Sequence, residues 1–198
     1  MSDAATQAHG DAPLVGDHLA MDLLNTEARK DDALIDYWRN GADVMGWLAR
    51  HGVRLPPSAK RPDPAELLAQ ATALRTLARR SIDARRNGAA PDTAALNRYL
   101  HAYLSAPSLT AGADGALVLS RVTRAEPLAA LLGPLAQAVA ELLAEADFAL
   151  VKQCEHADCI LWFYDRTKAH KRRWCSMSTC GNRYKAAQFR KKAGAEKA

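Results

Sequence analysis

From Pro64 to Asn87, apolar residues fall at Leu67, Ala71, Leu74, Ala78 and Ile82, the three- and four-residue spacing that lines one face of an α-helix. Pro64 suits the first helical position, and Gly88 after an arginine-rich last turn closes the segment. The same period marks Asp43 to Arg50, with Val44, Trp47 and Leu48 on one side and Gly52 as the stop. It returns in the segment opened by Pro91 to Thr93, through Leu96, Tyr99, Leu100 and Tyr103, and again from Pro127 to Val151, where Gly133-Pro134 predicts a kink. Leu19, Met21, Leu23 and Leu24 predict a short helix ending near Thr26, and "PPSAKRPDP" is a turn-rich linker. The period drops to two in "PSLTAGADGALVLSRVT", where Leu117 and Leu119 alternate with their neighbours and Ala-Asp-Gly supplies a turn, which predicts a β-hairpin. Residues 1–150 therefore predict a helical domain with one small hairpin in a mainly α chain.

Residues 151–198 have a different texture. All four cysteines of the chain lie there, as Cys154, Cys159, Cys175 and Cys180, two pairs with equal internal spacing. A segment this short buries too little apolar surface to fold unaided, and a reducing cytosol disfavours two structural disulfides. One structural Zn(II) held by four thiolates answers both difficulties, because a closed tetrahedral site adds its binding free energy to folding. A redox thiol pair is the competing reading, and the long loops within each pair leave His156 or His170 as substitutes for one cysteine. "CILWFYD" predicts a strand, "RTKAHK" a turn and "RRWC" the returning strand, with Trp162, Tyr164 and Trp174 covering the metal. A helix follows over Thr179–Lys192, with Gly181 allowing close approach to the metal and Asn182 suited to a cap or turn.

Charge sharpens this division. The chain carries 27 Lys+Arg against 22 Asp+Glu, yet from Val151 onward the count is 12 against 4. A mildly acidic body thus bears a strongly basic tail, which favours a polyanionic partner, nucleic acid before membrane. Arg172, Arg173, Arg183, Lys185, Arg190, Lys191 and Lys192 are the candidate nucleic-acid contacts. The alternative reading is a zinc-dependent interaction module that grips an acidic protein. Neither a basic n-region nor an apolar h-region is visible at the start of the chain, and the acids within 127–151 do not suit hydrocarbon; the expectation is a cytoplasmic protein.

Enzymatic function is the third class. None of the Walker A, G-x-S-x-G, H-E-x-x-H or G-x-G-x-x-G patterns occurs, and His18 with Asp22 one helical turn later is the most suggestive acid-histidine pair. The expectation is therefore no enzyme. Asp22 and Asn25 share a helix face and, with Trp47 as a wall and Arg75 as a counter-ion, are candidate ligand-binding residues. The competing account has Asn25 and Thr26 capping a helix beside a satisfied Asp22.

"WCSMSTCGNRYK", together with the upstream "CEHADCILWFYDRTKAHKRR", resembles the CGNR zinc finger family, whose signature is Cys180-Gly181-Asn182-Arg183 here. The resemblance covers about Cys154 to Lys192. It implies zinc on the four cysteines and contact with double-stranded DNA through Arg183 and Lys185. It also implies a structural role for Asp165 and Arg173, as a mutual ion pair. "HLAMDLLNTEAR" and "DVMGWLARHG" resemble the opening of a stress-induced transcription regulator (ABATE-type) domain, with Met21 where an aliphatic is usual. The two resemblances together imply a transcription regulator: a sensing or assembling body, 1–150, joined to a zinc-finger reader, 151–198. A homodimer and a small-molecule effector are the further partners that this reading implies.

Overall fold

The computed structural model describes residues 11–30, 33–112 and 114–195. Helix α1 (Leu19–Leu24) is followed by an antiparallel pair, β1 (Glu27–Lys30) and β2 (Ala33–Asp36), with Glu27 opposite Asp36 and Lys30 opposite Ala33. Then come α2 (Gly41–Arg50), α3 (Pro64–Arg86) and α4 (Thr93–Ala102), and a second antiparallel pair, β3 (Ser105–Ala111) with β4 (Leu117–Thr123). Helix α5 (Pro127–Glu145) leads to the third pair, β5 (Val151–Gln153) with β6 (Trp162–Tyr164), and the chain closes with α6 (Asn182–Ala195). The architecture is mainly α with small hairpins, as the periodicity predicts.

By its contacts the chain forms two compact units, one from residues 40–148 and one that joins the N-terminal segment, through Arg39, to the chain from Ala149 onward. In the first unit, local capping fixes the helix ends. The Asp63 carboxylate accepts from the Ala65 and Glu66 N–H groups at 3.0 and 2.9 Å, and Asp92 accepts from Ala95 N–H at 2.9 Å, so each helix starts where orphan donors find an acceptor. Gly88 then takes φ +75, a left-handed value that costs glycine little, just past the end of α3. The predicted stripe of α3 is the buried one: Leu67, Ala71, Leu74, Ala78 and Ile82 are all at most 1% exposed. Helix α5 packs its Leu131, Leu135, Val139 and Leu142 face in the same core, against α3 and α4. It is long and apolar enough to cross a membrane by length and composition, and this buried face accounts for that composition. A Cβ on Gly133 would lie 2.1 Å from Cγ of Tyr103, so glycine is what lets the α4 end lie against α5.

Helix α5 does not run to Val151 as predicted. Ala146 is already extended, with ψ 143, and a single 3₁₀ turn over Phe148–Leu150 delivers the chain into β5. The pair β1–β2 was not predicted, because its strands are four residues long and mostly unburied, so no alternating pattern announces them.

The second unit is discontinuous in sequence. Its α1 packs on β6, and Tyr164 N–H donates to Gly16 O at 2.8 Å, so the chain just before α1 meets the β6 edge that does not pair with β5. The sequence division at residue 150 and the division into compact units thus fall in different places: residues 11–39 lie with the cysteine-bearing segment.

Candidate metal centre

Four elements bring the thiols together. Cys154 follows β5, with its N–H on Leu161 O at 2.9 Å; Cys159 closes the turn that starts at His156, with its N–H on His156 O at 3.0 Å. Cys175 precedes, and Cys180 lies within, a π-helical turn over Met177–Gly181 that opens α6. The four Sγ atoms all lie within 4.8 Å of one another, with Cys159–Cys175 at 3.8 Å and Cys175–Cys180 at 3.6 Å. Tetrahedral thiolate ligation at Zn–S of about 2.3 Å requires S···S edges of about 3.8 Å. The arrangement therefore fits a metal ion held by a closed set of four sulfur donors. Its electrostatics fit a cation as well: burial, then the charge of the Cys159 and Cys154 sulfurs, pushes the Cys180 thiol up to about 12. Hydrogen bonds from Cys159 and Cys175 drive Cys154 the other way. Neighbouring thiols compete for a single negative charge until a cation lets all four ionise.

The two histidines are committed to loop structure. His156 Nδ1 accepts from Asp158 N–H at 3.3 Å, and His170 Nδ1 lies 3.3 Å from Asp165 O. The aromatic cover also differs from the prediction. Phe163, fully buried, packs with Cys154, Cys175 and Cys180, with Val15, Leu161 and Trp174 around them. Side chains alternate along a strand, so Trp162 and Tyr164 fall on the other face of β6, where Tyr164 meets His18 edge-on at 6.1 Å. The strand that pairs with β6 is β5 and not "RRWC"; from that segment, Arg173 O accepts one bond, from Glu155 N–H at 3.0 Å.

Gly181 makes room for side chains: a Cβ there would lie 2.2 Å from Met177 Sδ and 3.3 Å from Trp174 Cδ1. Asn182 donates its amide to Ser178 O at 3.2 Å, steadying the turn that carries Cys180.

A carboxylate beside the site organises the loop between the cysteine pairs. Asp165, fully buried, accepts from Lys152 Nζ at 2.7 Å, Thr167 Oγ1 at 2.6 Å, Thr167 N–H at 3.1 Å and Arg172 N–H at 2.9 Å. Burial alone would raise its pKa, but these donors outweigh it and hold the carboxyl well below the usual carboxylate range. A depressed carboxylate pKa stabilises the fold at neutral pH, and the contribution is lost only as acid takes the group through that lowered value. Asp165→Asn is expected to lower stability at pH 7 by about 3 kcal/mol, since an amide turns its NH2 toward donors and leaves Lys152 with carbonyl acceptors but no counter-ion. An unchanged urea midpoint for the metal-loaded variant would refute this. The predicted ion pair of Asp165 with Arg173 does not form: Lys152 takes the carboxylate, and Arg173 Nε pairs with Glu155 at 2.6 Å.

The other predicted residues separate clearly. Arg172 is not a free surface cation. Its guanidinium lies 4.2 Å over the Phe163 ring, donates to Val15 O at 2.8 Å, Cys175 O at 2.6 Å and Trp174 O at 3.0 Å, and pairs with Asp17. Arg173 is half exposed and stacks against Trp174 and Tyr184 while holding Glu155. Arg183, Lys185, Arg190, Lys191 and Lys192 stand exposed on α6. Asp22, Asn25, Trp47 and Arg75, the candidate ligand residues, are 7%, 0%, 3% and 2% exposed, so none presents a surface to a ligand. Asp22 accepts from Gly16 N–H at 2.8 Å, a contact that needs glycine, because a Cβ at residue 16 would lie 2.9 Å from the same carboxylate oxygen. Asn25 donates to Trp162 O at 2.9 Å and accepts from Trp162 N–H at 2.8 Å, a two-point clamp on β6. Thr26 Oγ1 donates to Leu23 O at 2.8 Å and finishes α1. Trp47, tilted against His51 with ring centroids 4.3 Å apart, and Arg75 belong to the core of the 40–148 unit.

Two family profiles match the chain. Residues 17–146 match the ABATE family, described as "Putative stress-induced transcription regulator", and residues 151–193 match the CGNR zinc finger. A search among curated proteins found no match. The first match crosses from one compact unit into the other at residue 40, and the second covers the four cysteines, the Asp165 loop and nearly all of α6. With most of its length in the first profile and its sulfur site in the second, the chain belongs to the ABATE family and carries a C-terminal CGNR zinc finger.

Proposed function

We propose that this protein is a cytoplasmic transcription regulator that binds double-stranded DNA through α6, with Zn(II) in the four-cysteine site as a structural ion. The observation that carries the reading is the surface of α6. Arg183, Lys185, Arg190, Lys191 and Lys192 are all exposed, no acid accompanies them between Asn182 and Ala195, and Phe189 is 74% exposed between them. The turn that bears Cys180 anchors this helix at its N-terminal end. A basic, projecting helix suits phosphate contacts along a groove, and an uncovered phenylalanine one turn from Lys185 and Lys192 suits contact with base edges or a base step. Four sulfurs leave no open position for substrate, which favours a structural over a catalytic metal.

The 40–148 unit is assigned the sensing or assembling role. It holds a cavity of about 390 Å³ lined by Gln70, Arg98, Tyr99, Leu128, Leu132 and Gly133, of a size to admit a small effector. A second copy of the chain would supply the second half-site that a reader this small requires.

Fluorescence anisotropy of the zinc-loaded full chain on labelled duplex DNA, across a salt series, tests the reading. Affinity is expected to fall steeply with salt, and Arg183→Ala with Lys185→Ala to reduce the slope of log K against log salt by about 1.8 while metal content stays intact. An unchanged slope would remove both residues from the interface. No binding at low salt would transfer the finger to an acidic protein partner.

A further inference from the structure

The β3–β4 hairpin is patterned the wrong way round for a monomer. Its register puts Leu109 opposite Leu119 and Ala111 opposite Leu117, with Pro107 opposite Arg121 on the same face. The other face carries Ala106, Ser108 and Thr110 opposite Val122, Ser120 and Val118. A half-buried hairpin ordinarily turns its larger apolar side chains inward and its small polar ones outward. Here Leu109, Leu117 and Leu119 are 62%, 70% and 73% exposed, and every residue of β4 is exposed. A two-stranded hairpin is marginal alone in water, and this one lacks the cover its sequence is built for.

We propose that a second copy of this chain covers that face, the two hairpins stacking face to face and antiparallel about a two-fold axis. Two features select this occupant. The leucine face with Pro107 and Ala111 exposes on the order of 500 Å² of apolar surface, so two copies together bury about 1,000 Å², the threshold for a specific interface. The charges at its ends are also self-complementary: Asp114 sits in the turn at the tip, and Arg121 at the base, where it holds Ser105 Oγ at 2.9 Å. An antiparallel stack brings the tip acid of each copy to the base arginine of its partner, whereas a parallel stack would set like charges together. The inference supplies the surface for the dimer in the reading above. It does not depend on DNA, and its test contains none.

The experiment is sedimentation velocity on the full, metal-loaded chain. Wild type is expected at twice the 21.5 kDa chain mass, and Leu117→Lys with Leu119→Lys at the single-chain mass, with helical content unchanged. Ser108→Lys, on the opposite face, should remain dimeric. Asp114→Arg should weaken the dimer, and adding Arg121→Asp should restore it. If the double-lysine variant does not fold, Leu119→Ser replaces it, with an expected tenfold or greater rise in the dimer dissociation constant. A wild-type chain that sediments at 21.5 kDa at the highest soluble concentration overturns the proposal, as does a lysine variant that stays dimeric. Failure of the paired charge swap to restore association overturns the antiparallel arrangement.

Discussion

Cys175→Ser is expected to abolish stoichiometric metal binding and to unfold more than the finger. Cys175 Sγ is 3.6 and 3.8 Å from two of the other three sulfurs, so a hydroxyl there removes a donor from the middle of the cluster. Structural zinc supplies roughly 10 to 16 kcal/mol of apparent binding free energy, as much as a domain's whole net stability of about 5 to 15 kcal/mol. Because Val15 packs on the cysteine cluster and Val15 O accepts from Arg172, the loss should spread to residues 11–39. The caps and leucine core of the 40–148 unit make no use of the sulfurs, so α3 should keep its protection. Hydrogen exchange read by peptide would settle it: loss of protection at 15–26 and 150–190, with 64–86 protected, is the expected pattern. Retained stoichiometric metal would remove Cys175 from the ligand set.

Asn25→Ala should cost about 2 to 6 kcal/mol. The asparagine amide satisfies both the N–H and the C=O of Trp162 in a fully buried position, and alanine leaves both orphaned at about 1 to 3 kcal/mol each. Asn25→Asp should fare no better, since its second oxygen would face the Trp162 carbonyl without a proton to share. Chemical denaturation of the metal-loaded variants, with a metal-affinity titration alongside, checks this. Reduced metal affinity without any substitution among the cysteines is the signature of a clamp acting through β6. A variant as stable as wild type would make the clamp ornamental.

Much of this molecule is legible in the chain. Leu67 through Ile82 mark the buried side of α3 because a long helix repeats its signal five times, and Asp63-Pro64 and Gly88 mark its ends by backbone chemistry alone. The sulfur site reads from spacing, because metal ligands must be of few types and close together. What escapes is short or distant. Val151–Gln153 is too brief to alternate, so "RRWC" was assigned as the partner of β6 in its place; with three aromatics in a row, only the strand register selects Phe163 as the one that faces the sulfurs. Arg172 sits in a basic run, and composition does not distinguish a guanidinium wrapped around a phenyl ring from one that reaches solvent. Asn25 bears no local trace of a partner 137 residues away.

That separation has a consequence in time. Residue 25 leaves the ribosome long before residue 162, and at about 5 to 20 residues per second the intervening chain takes on the order of ten seconds to make. Throughout that interval the apolar side of α1 has no strand to lie on, and the 40–148 unit is completed and free to fold before β6 exists. Metal capture therefore comes last in biogenesis, and a product truncated before Cys175 carries an exposed amino-terminal helix that quality control can recognise as unfinished.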